Sequence, residues 1–548
     1  TSNGTIDLVQ QEGSTGSILN VDSTLTLQDQ SQLAITMGNA STTPVIKTSS
    51  TMLAGDLTVN ATATFAPVDS DQNFSSFVLI DSRSAINGDF DSLTLNVDTP
   101  SLPDYLTLNA GVDAKDNTNY VLSEGLSWNA GANSASEAHG TFTIASNDRF
   151  EVVSELSDVN ATANWDGETL TKEGDGTLIL SNANNNYGAT QINAGTLASK
   201  NAATLGHGDV TISQGATLQL SAGTLDNTLV GEGVLKKDGS DSLTLTADNS
   251  DYSGDIVIAD GTLIANETKS LGTSSITDNG VLQLDSGTLN NQITGTGSLL
   301  KDGSGSLVMS SDNSYSGGTV IKDGEVTATH VNALGSGDVD NSGTLLLNAD
   351  GKFDMGGAQF VTHSDATTTL AAGSSLNVKT FTQETDSTLN IELDDSTSEA
   401  IITADDVVLG GSLNISGIGN IKDPLTNDPY TFTLIDANND IQGDFDELTI
   451  AGMDQKSVDF LTVDGKINEN DQSQYLLATS LSWYADRDNA ATDAHGTFTL
   501  SDPDSSFTLG TDLTDVNDTL NASSTTGWDG KTLTKEGDGE LILSGNNS

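Results

Sequence analysis

The sequence predicts an all-β chain folded as a right-handed parallel β-helix, and three observations predict it. Apolar residues come in short pulses rich in Leu, Val, Ile and Thr, with no stripe at helical spacing. The 548 residues include 55 Gly and only 7 Pro, which favours tight turns over extended linkers. A block of one length also recurs in order along the chain, the signature of a solenoid.

The short repeat opens with Leu170-Thr-Lys-Glu-Gly-Asp-Gly-Thr-Leu-Ile-Leu180, which returns as Leu235 to Leu245 and as Leu299 to Met309. Its lysines, Lys172, Lys237 and Lys301, are 65 and 64 residues apart. Each copy continues through a tyrosine (Tyr187, Tyr252, Tyr315), a glycine before a strand-like segment (Gly195, Gly261, Gly324) and a Leu-Gly pair ending at Gly206, Gly272 and Gly335. Within the first copy the pulses are Leu178 to Leu180, Gln191 to Ile192, Thr196 to Ala198, Val210 to Ile212, Leu218 to Leu220 and Leu225 to Val230. Their β-branched residues and Gly/Asn/Asp/Ser punctuation are strand and turn chemistry.

Three coils in one period of 64 or 65 residues give about 21 to 22 residues per coil, enough for three short strands and three turns. A single coil can neither pair its own backbone nor bury its inward side chains. Stacking coils in parallel does both, and some 25 coils at about 4.8 Å predict a rod on the order of 120 Å long. Leu180, Leu245 and Met309, the last apolar positions of the signature strand, are expected to point inward. Aromatic residues make up only 5% of the chain, which suits a narrow core.

A second, longer repeat is superimposed. Phe77-Val-Leu-Ile-Asp81 with Gly88-Asp-Phe-Asp91 returns as Phe432 to Asp436 with Gly443 to Asp446, an offset of 355, and Leu126-Ser-Trp128 returns as Leu481-Ser-Trp483. His139-Gly-Thr-Phe-Thr143 matches His495 to Thr499, Trp165-Asp-Gly167 matches Trp528 to Gly530, and Leu533 to Leu543 repeats the short signature. The segments richer in aromatics are expected to form larger excursions, such as hairpins leaning on the rod. The division expected is coils over 1–76, an aromatic-richer segment over 77–169, three short repeats over 170–350, coils over 351–431, the second aromatic-richer segment over 432–532, and a truncated repeat over 533–548. The break at Ser548 reads as a fragment of a longer repetitive protein.

The signature strand, followed by Asn-x-Tyr and then Gly-Thr-Leu, resembles the autotransporter-associated β-strand repeat of Gram-negative type V secretion passengers. It spans Leu170 to about Asn348 and begins again at Leu533, departing at Glu325-Val326, where Gly-Thr-Leu is usual. The whole chain resembles AIDA-type adhesins and biofilm factors. That resemblance implies a β-helical passenger displayed on the bacterial cell surface or released after cleavage. It also implies membrane attachment only through a C-terminal β-barrel, which is absent from this sequence.

Charge bounds the partners. With 19 basic and 77 acidic residues the formal charge is −58, which disfavours nucleic acid, heparin-like polyanions and anionic membranes. No cysteine is present, so disulfides and thiolate metal sites are excluded, and the chain suits export in an unfolded state. No run of eighteen apolar residues occurs, and the N-terminus has no signal-like segment, as expected of a soluble, processed piece. Neither Gly-Asp-Ser-Gly nor Gly-x-Ser-x-Gly is found, and His139, His207, His330, His363 and His495 show no metal-binding spacing. His139 and His495 hold equivalent positions and read as a repeated structural contact. No enzyme and no cofactor is therefore expected. Calcium is the one metal to weigh: Asp248 with Asp251, Asp394 with Asp395, Asp405 with Asp406, and Asp502 with Asp504 can lend oxygens at turns, although solvated acidic turns are the simpler explanation.

Two functions fit. One is a surface adhesin whose face of Thr, Asn, Asp and Ser promotes aggregation, biofilm formation or attachment, with like rods on neighbouring cells, biofilm-matrix or host extracellular-matrix components as partners. The other is a carbohydrate-binding or carbohydrate-processing β-helix acting on a surface or matrix polysaccharide, which a unique groove would reveal.

Overall fold

The computed structural model describes residues 2, 4–10, 18–37, 43–61, 74, 76–97, 102–131, 134–160, 164–394, 399–417, 431–451, 459–485, 490–516 and 527–548. Among them every regular element is a β-strand apart from short 3-10 turns such as Ala202–Thr204 and Thr268–Leu271. The strands stack in parallel as a β-solenoid, as the turn-punctuated pulses predict. The chain divides into two compact units, Thr1–Ile256 and Val257–Ser548.

In the first unit, Thr5–Val9, Gln32–Met37, Asp56–Ala61 and Ser92–Val97 form one parallel sheet, and Leu19–Thr26, Ile46–Leu53 and Ser76–Ser82 another. The second sheet then changes sense. Asn119–Leu126 pairs antiparallel with Ser76–Ser82 and with Leu106–Val112, a hairpin added to a parallel stack. In the second unit Gln474–Leu481 pairs antiparallel with Thr431–Ala437 and with Leu461–Ile467. The excursions expected from the aromatic-richer segments are therefore hairpins that continue the sheet rather than lean on it.

Pulse boundaries in the first short repeat agree with the strands Thr177–Leu180, Thr190–Ile192, Thr196–Ser199, Val210–Ile212 and Thr217–Leu220. The last pulse divides into Gly223–Leu225 and Leu229–Gly231. The alternation is clean: Leu178 and Leu180 are buried while Thr177 and Ile179 are half-exposed, the period-two pattern of a strand with one face inward. Leu180, Leu245 and Met309 are all inward, at 0%, 1% and 0% exposure.

The coil is shorter than the repeat arithmetic suggests. Leu170 aligns with Thr190, Val210 and Leu229, steps of 20, 20 and 19 residues, so three coils use 59 residues of the 65-residue period. The remainder carries the chain one side further round. Leu170–Glu173 belongs to the sheet with Thr190–Ile192, whereas its repeat equivalent Val234–Lys237 pairs with Thr217–Leu220 in the neighbouring sheet. One period is three coils plus one side, so the signature precesses from face to face. Sequence spacing cannot show this, because it counts residues and not corners.

Candidate functional site

The repeat landmarks are interior groups. Lys172, Lys237 and Lys301 are all 0% exposed. The Lys172 ammonium donates to the carbonyls of Glu173 at 2.7 Å, Gly174 at 2.6 Å and, one coil on, Ala194 at 3.1 Å. Lys237 donates to the Asp238 and Gly239 carbonyls at 2.8 and 2.6 Å. Lys301 bonds the Gly303 carbonyl, reaches the Asp323 carbonyl at 3.2 Å, and has Asp285 at 3.4 Å. Each lysine thus gathers carbonyls at a tight turn, through charge-assisted bonds that offset the desolvation of the charge. Burial pushes the Lys172 ammonium down to about 8. Three carbonyls within bonding distance engage three protons, so the group is charged at neutral pH.

Where one side of a coil lacks a strand, asparagine replaces it. Asn185 accepts from the Leu156 amide at 2.8 Å and donates to the Thr204 carbonyl at 2.8 Å. Asn313 does the same between the Ile293 amide, 2.9 Å, and the Ala333 carbonyl, 2.7 Å. Asn249 accepts from the Leu229 amide at 2.8 Å. A side-chain amide offers one acceptor and one donor set, as a peptide does, and so carries the ladder across the gap. The tyrosines close the same corner: Tyr187 and Tyr315 bond Thr190 and Thr319 hydroxyls at 3.1 and 2.5 Å, and Tyr252 donates to the Gly233 carbonyl at 2.7 Å. Sequence reading found the tyrosines and lysines by their period but not their burial. The 64-residue spacing of Asn185, Asn249 and Asn313 is the signal that would have found the asparagines.

Gly195 and Gly324 sit beside these corners with φ of +65° and +74°. A Cβ there would lie 2.4 and 2.5 Å from the Gly174 and Gly303 carbonyl oxygens, so both backbone sign and space require glycine.

Other inward positions are polar too. Asp278 is 1% exposed, and its Oδ1 accepts from the Gly280 amide at 2.9 Å, while Oδ2 has no hydrogen-bond partner among the described residues. Burial raises its pKa to about 6. Further along, Asn341 donates to the Thr367 carbonyl and Thr368 hydroxyl at 3.0 and 3.1 Å, and Thr362 bonds Thr368 at 2.8 Å.

The long repeat reproduces its aromatic packing closely. Trp128 meets Trp165 edge-on at 5.0 Å, and Trp483 meets Trp528 at 4.9 Å. Their indoles donate to the Ser157 and Thr514 carbonyls at 2.9 and 3.0 Å. Phe90 on Tyr120 and Phe445 on Tyr475 are both edge contacts at 5.3 Å. His139 and His495 each accept, through Nδ1, from the amide two residues on, at 3.2 and 3.3 Å, a repeated structural contact as expected.

The outward surface is where a partner can act. In the second unit the strands Thr344–Leu347, Thr367–Leu370, Thr388–Glu392 and Ser412–Ser416 stack in register. Their outward rows read Thr344, Thr367, Thr388, Ser412 and Leu346, Thr369, Asn390, Asn414. None of the eight is charged. Asn390 donates to Thr369 at 3.0 Å and Asn414 to Asn390 at 2.9 Å, a ladder that fixes the side chains at the strand spacing. A similar column, Thr36, Asn60 and Asn96, runs across the first unit with bonds of 3.3 and 2.8 Å.

The calcium candidates lie apart. Asp248 accepts from the Ser250 amide and hydroxyl at 3.1 and 2.5 Å; Asp405 and Asp406 accept from Asn438 and Asn439 at 2.6 and 3.0 Å; Asp502 accepts from the Asp504 amide at 2.9 Å. Asp251 and Asp504 are exposed, Asp394 is half-buried, and Asp395 lies outside the described residues. Among the described residues no three His, Asp or Glu side chains gather into a metal-holding group.

The repeats carry the kinship. The model of the passenger-associated-transport repeat matches residues 170–198, 235–265, 299–328 and 533–548. The chain is 29% identical to the adhesin BmaC autotransporter of Brucella suis biovar 1 (strain 1330), over 48% of this chain and 10% of that protein. It is 30% identical to the uncharacterized lipoprotein YdeK of Escherichia coli (strain K12), over 33% of this chain and 14% of that protein. It therefore spans no more than 14% of the length of either relative. The chain carries passenger-associated-transport repeats and is distantly similar to an adhesin autotransporter.

Proposed function

We propose that this chain is the non-enzymatic, adhesive part of a protein displayed on or released from the bacterial surface, promoting aggregation, biofilm formation or attachment. The observation that carries the reading is the uncharged outward ladder from Thr344 to Asn414 in a chain of net charge −58. Surfaces that carry the acidic residues repel one another. On this face hydroxyls and amides held at strand spacing meet a partner through many weak hydrogen bonds, and multivalency supplies the affinity. The partner is a second copy of the chain, or a biofilm-matrix or host-matrix component. The distant relative named an adhesin supports the same reading.

Bead clumping tests it. At a Debye length of about 8 Å at physiological ionic strength, screened repulsion gives way to contact-range hydrogen bonding. Beads coated with the chain should clump more as salt rises from very low to physiological, and millimolar calcium should exceed sodium of equal ionic strength by bridging carboxylates. Binding to a cationic glucosamine polymer should weaken over the same salt range. Clumping that falls with salt contradicts the proposal.

A further inference from the structure

The two copies of the long repeat, with the coils that lead into them, carry equivalent outward columns that differ in charge. In the first copy Asn20, Lys47 and Asp81 stand in one outward column across three adjacent strands. The equivalent column in the second copy is Asn377, Thr403 and Asp436. Two residues after Asp81 comes Arg83, and two after Asp436 comes Asn438. The first copy thus places two cations where the second has a hydroxyl and an amide, in a chain with 19 basic residues against 77 acidic ones.

Those cations line a cavity of about 210 Å³ together with Asn20, Asp22, Ser49 and Asp81. It lies where the pairing of Leu19–Thr26 with Ile46–Leu53 slips between Val21 and Thr24, a β-bulge. Lys47 is 3.7 Å from Asp81. Asn438 in the second copy is tied down by its 2.6 Å bond to Asp405, whereas the Arg83 guanidinium has no partner among the described residues. An unpaired guanidinium amid so many carboxylates is a fork of donors left for something else. The cavity at the second copy, about 700 Å³, has Lys352 as the one cation among its described lining residues, beside Glu399 and Asp436.

We infer that the cavity of the first copy binds a hexuronic acid residue of a glycan, with the carboxylate held by Lys47 and Arg83 and the ring hydroxyls donating to Asp22 and Asp81. Both signs of charge are then used. An acidic peptide offers the carboxylate but no hydroxyls, and meets Asp22 and Asp81 as repulsion. A neutral sugar offers hydroxyls but leaves the guanidinium unpaired. Global negative charge opposes a long polyanion but falls off within about 8 Å at physiological salt, so one uronate residue is accepted where a polymer of them is disfavoured.

The probe is a galacturonic acid trisaccharide, titrated calorimetrically into the full chain at physiological salt. One site is expected, weakened at least tenfold when the probe's carboxylates are methyl-esterified, and weakened at least tenfold in the chain carrying Lys47→Gln with Arg83→Gln. Both side chains are exposed, so the melting temperature of that variant should not change. Thr403→Lys with Asn438→Arg should create a second site. The inference is overturned if the trisaccharide does not bind, if the ester or the double variant binds equally well, or if triglutamate binds as tightly. Bead clumping of the double variant separates this site from the adhesive face: lost uronate binding with clumping intact supports two separate surfaces, and retained uronate binding contradicts this one alone.

Discussion

The short repeats and the stretch from Thr344 to Ile450 are both parallel stacks, but they present themselves to solvent differently. In the repeats the 65-residue period is three coils plus one side, so Leu170–Glu173 and Val234–Lys237 lie in different sheets and their outward residues face different ways. From Thr344 to Ile450 the strands stay in one sheet, with Leu345, Thr368, Leu389, Leu413 and Leu448 directly above one another. The precessing region repeats its interior, since lysine, asparagine and tyrosine close each corner alike. The in-register region repeats its exterior. The signature changes face from copy to copy while the strands themselves stay stacked in register, so the third repeat runs on into the ladder, with Glu325 beside Thr344 in the same sheet.

The largest effects should come from inverting inside and outside. Replacing Leu180 or Met309 by Asp buries an unpaired charge and should cost more than about 4 kcal/mol, opening the coil to proteolysis. Leu346→Asp, on an outward position of the in-register sheet, should change melting by about 0.5 kcal/mol or less. Equal effects would show that the alternation does not place these side chains as described.

Next comes the corner lysine. Lys172→Met keeps the stem but leaves the Gly174 and Ala194 carbonyls without their donor, and should destabilise the first unit by about 2–3 kcal/mol. Because burial lowers the Lys172 pKa to about 8 from an ordinary 10.5, the folded chain binds fewer protons than the unfolded one between those values. Its contribution to stability should thus increase as pH rises from about 8 toward 10, and that slope should flatten in Lys172→Met. Melting curves across this pH range check both points.

Asp278 should behave oppositely. Its folded pKa of about 6 lies above the ordinary 3.8, so the protonated form is favoured in the fold and stability falls as pH rises from about 4 to 6. Asp278→Asn should remove that slope and raise stability at pH 7 by about 1–2 kcal/mol. The smallest effect belongs to His363, whose two ring nitrogens approach Asp340 at 2.7 Å and Glu384 at 3.1 Å on successive coils. Burial works against its charge, but the bonds to Glu384 and Asp340 outweigh this and raise the pKa. Its contribution is complete below about pH 6.5, is lost as pH rises through the raised value, and should be absent from His363→Gln.

How much of this the sequence could show follows from what repeats. Period-two alternation put Leu180, Leu245 and Met309 inside, and duplicated motifs paired Trp128 with Trp483 and His139 with His495, because core contacts are copied with the residues that make them. The buried state of Lys172 runs against its charge: Leu170 two residues before puts it on the inward face, but only the turn carbonyls around it explain why an ammonium is accepted there. Coil length was misjudged because a period divides evenly into coils only when the corners return to the same side. The outward ladder and the Lys47–Arg83 cavity were invisible because each joins strands some 20 to 35 residues apart in the chain.

Charging the uncharged outward ladder is the most direct test of the proposed adhesion. Thr369→Asp, Asn390→Asp and Asn414→Asp together place three carboxylates on the in-register face, while Thr171→Asp, Thr211→Asp and Gln219→Asp place three on outward positions of the precessing repeats. Bead clumping should be abolished by the first set and retained with the second, with melting temperatures of both close to that of the parent chain. Equal clumping by the two triple variants would contradict the claim that this face is the one that binds.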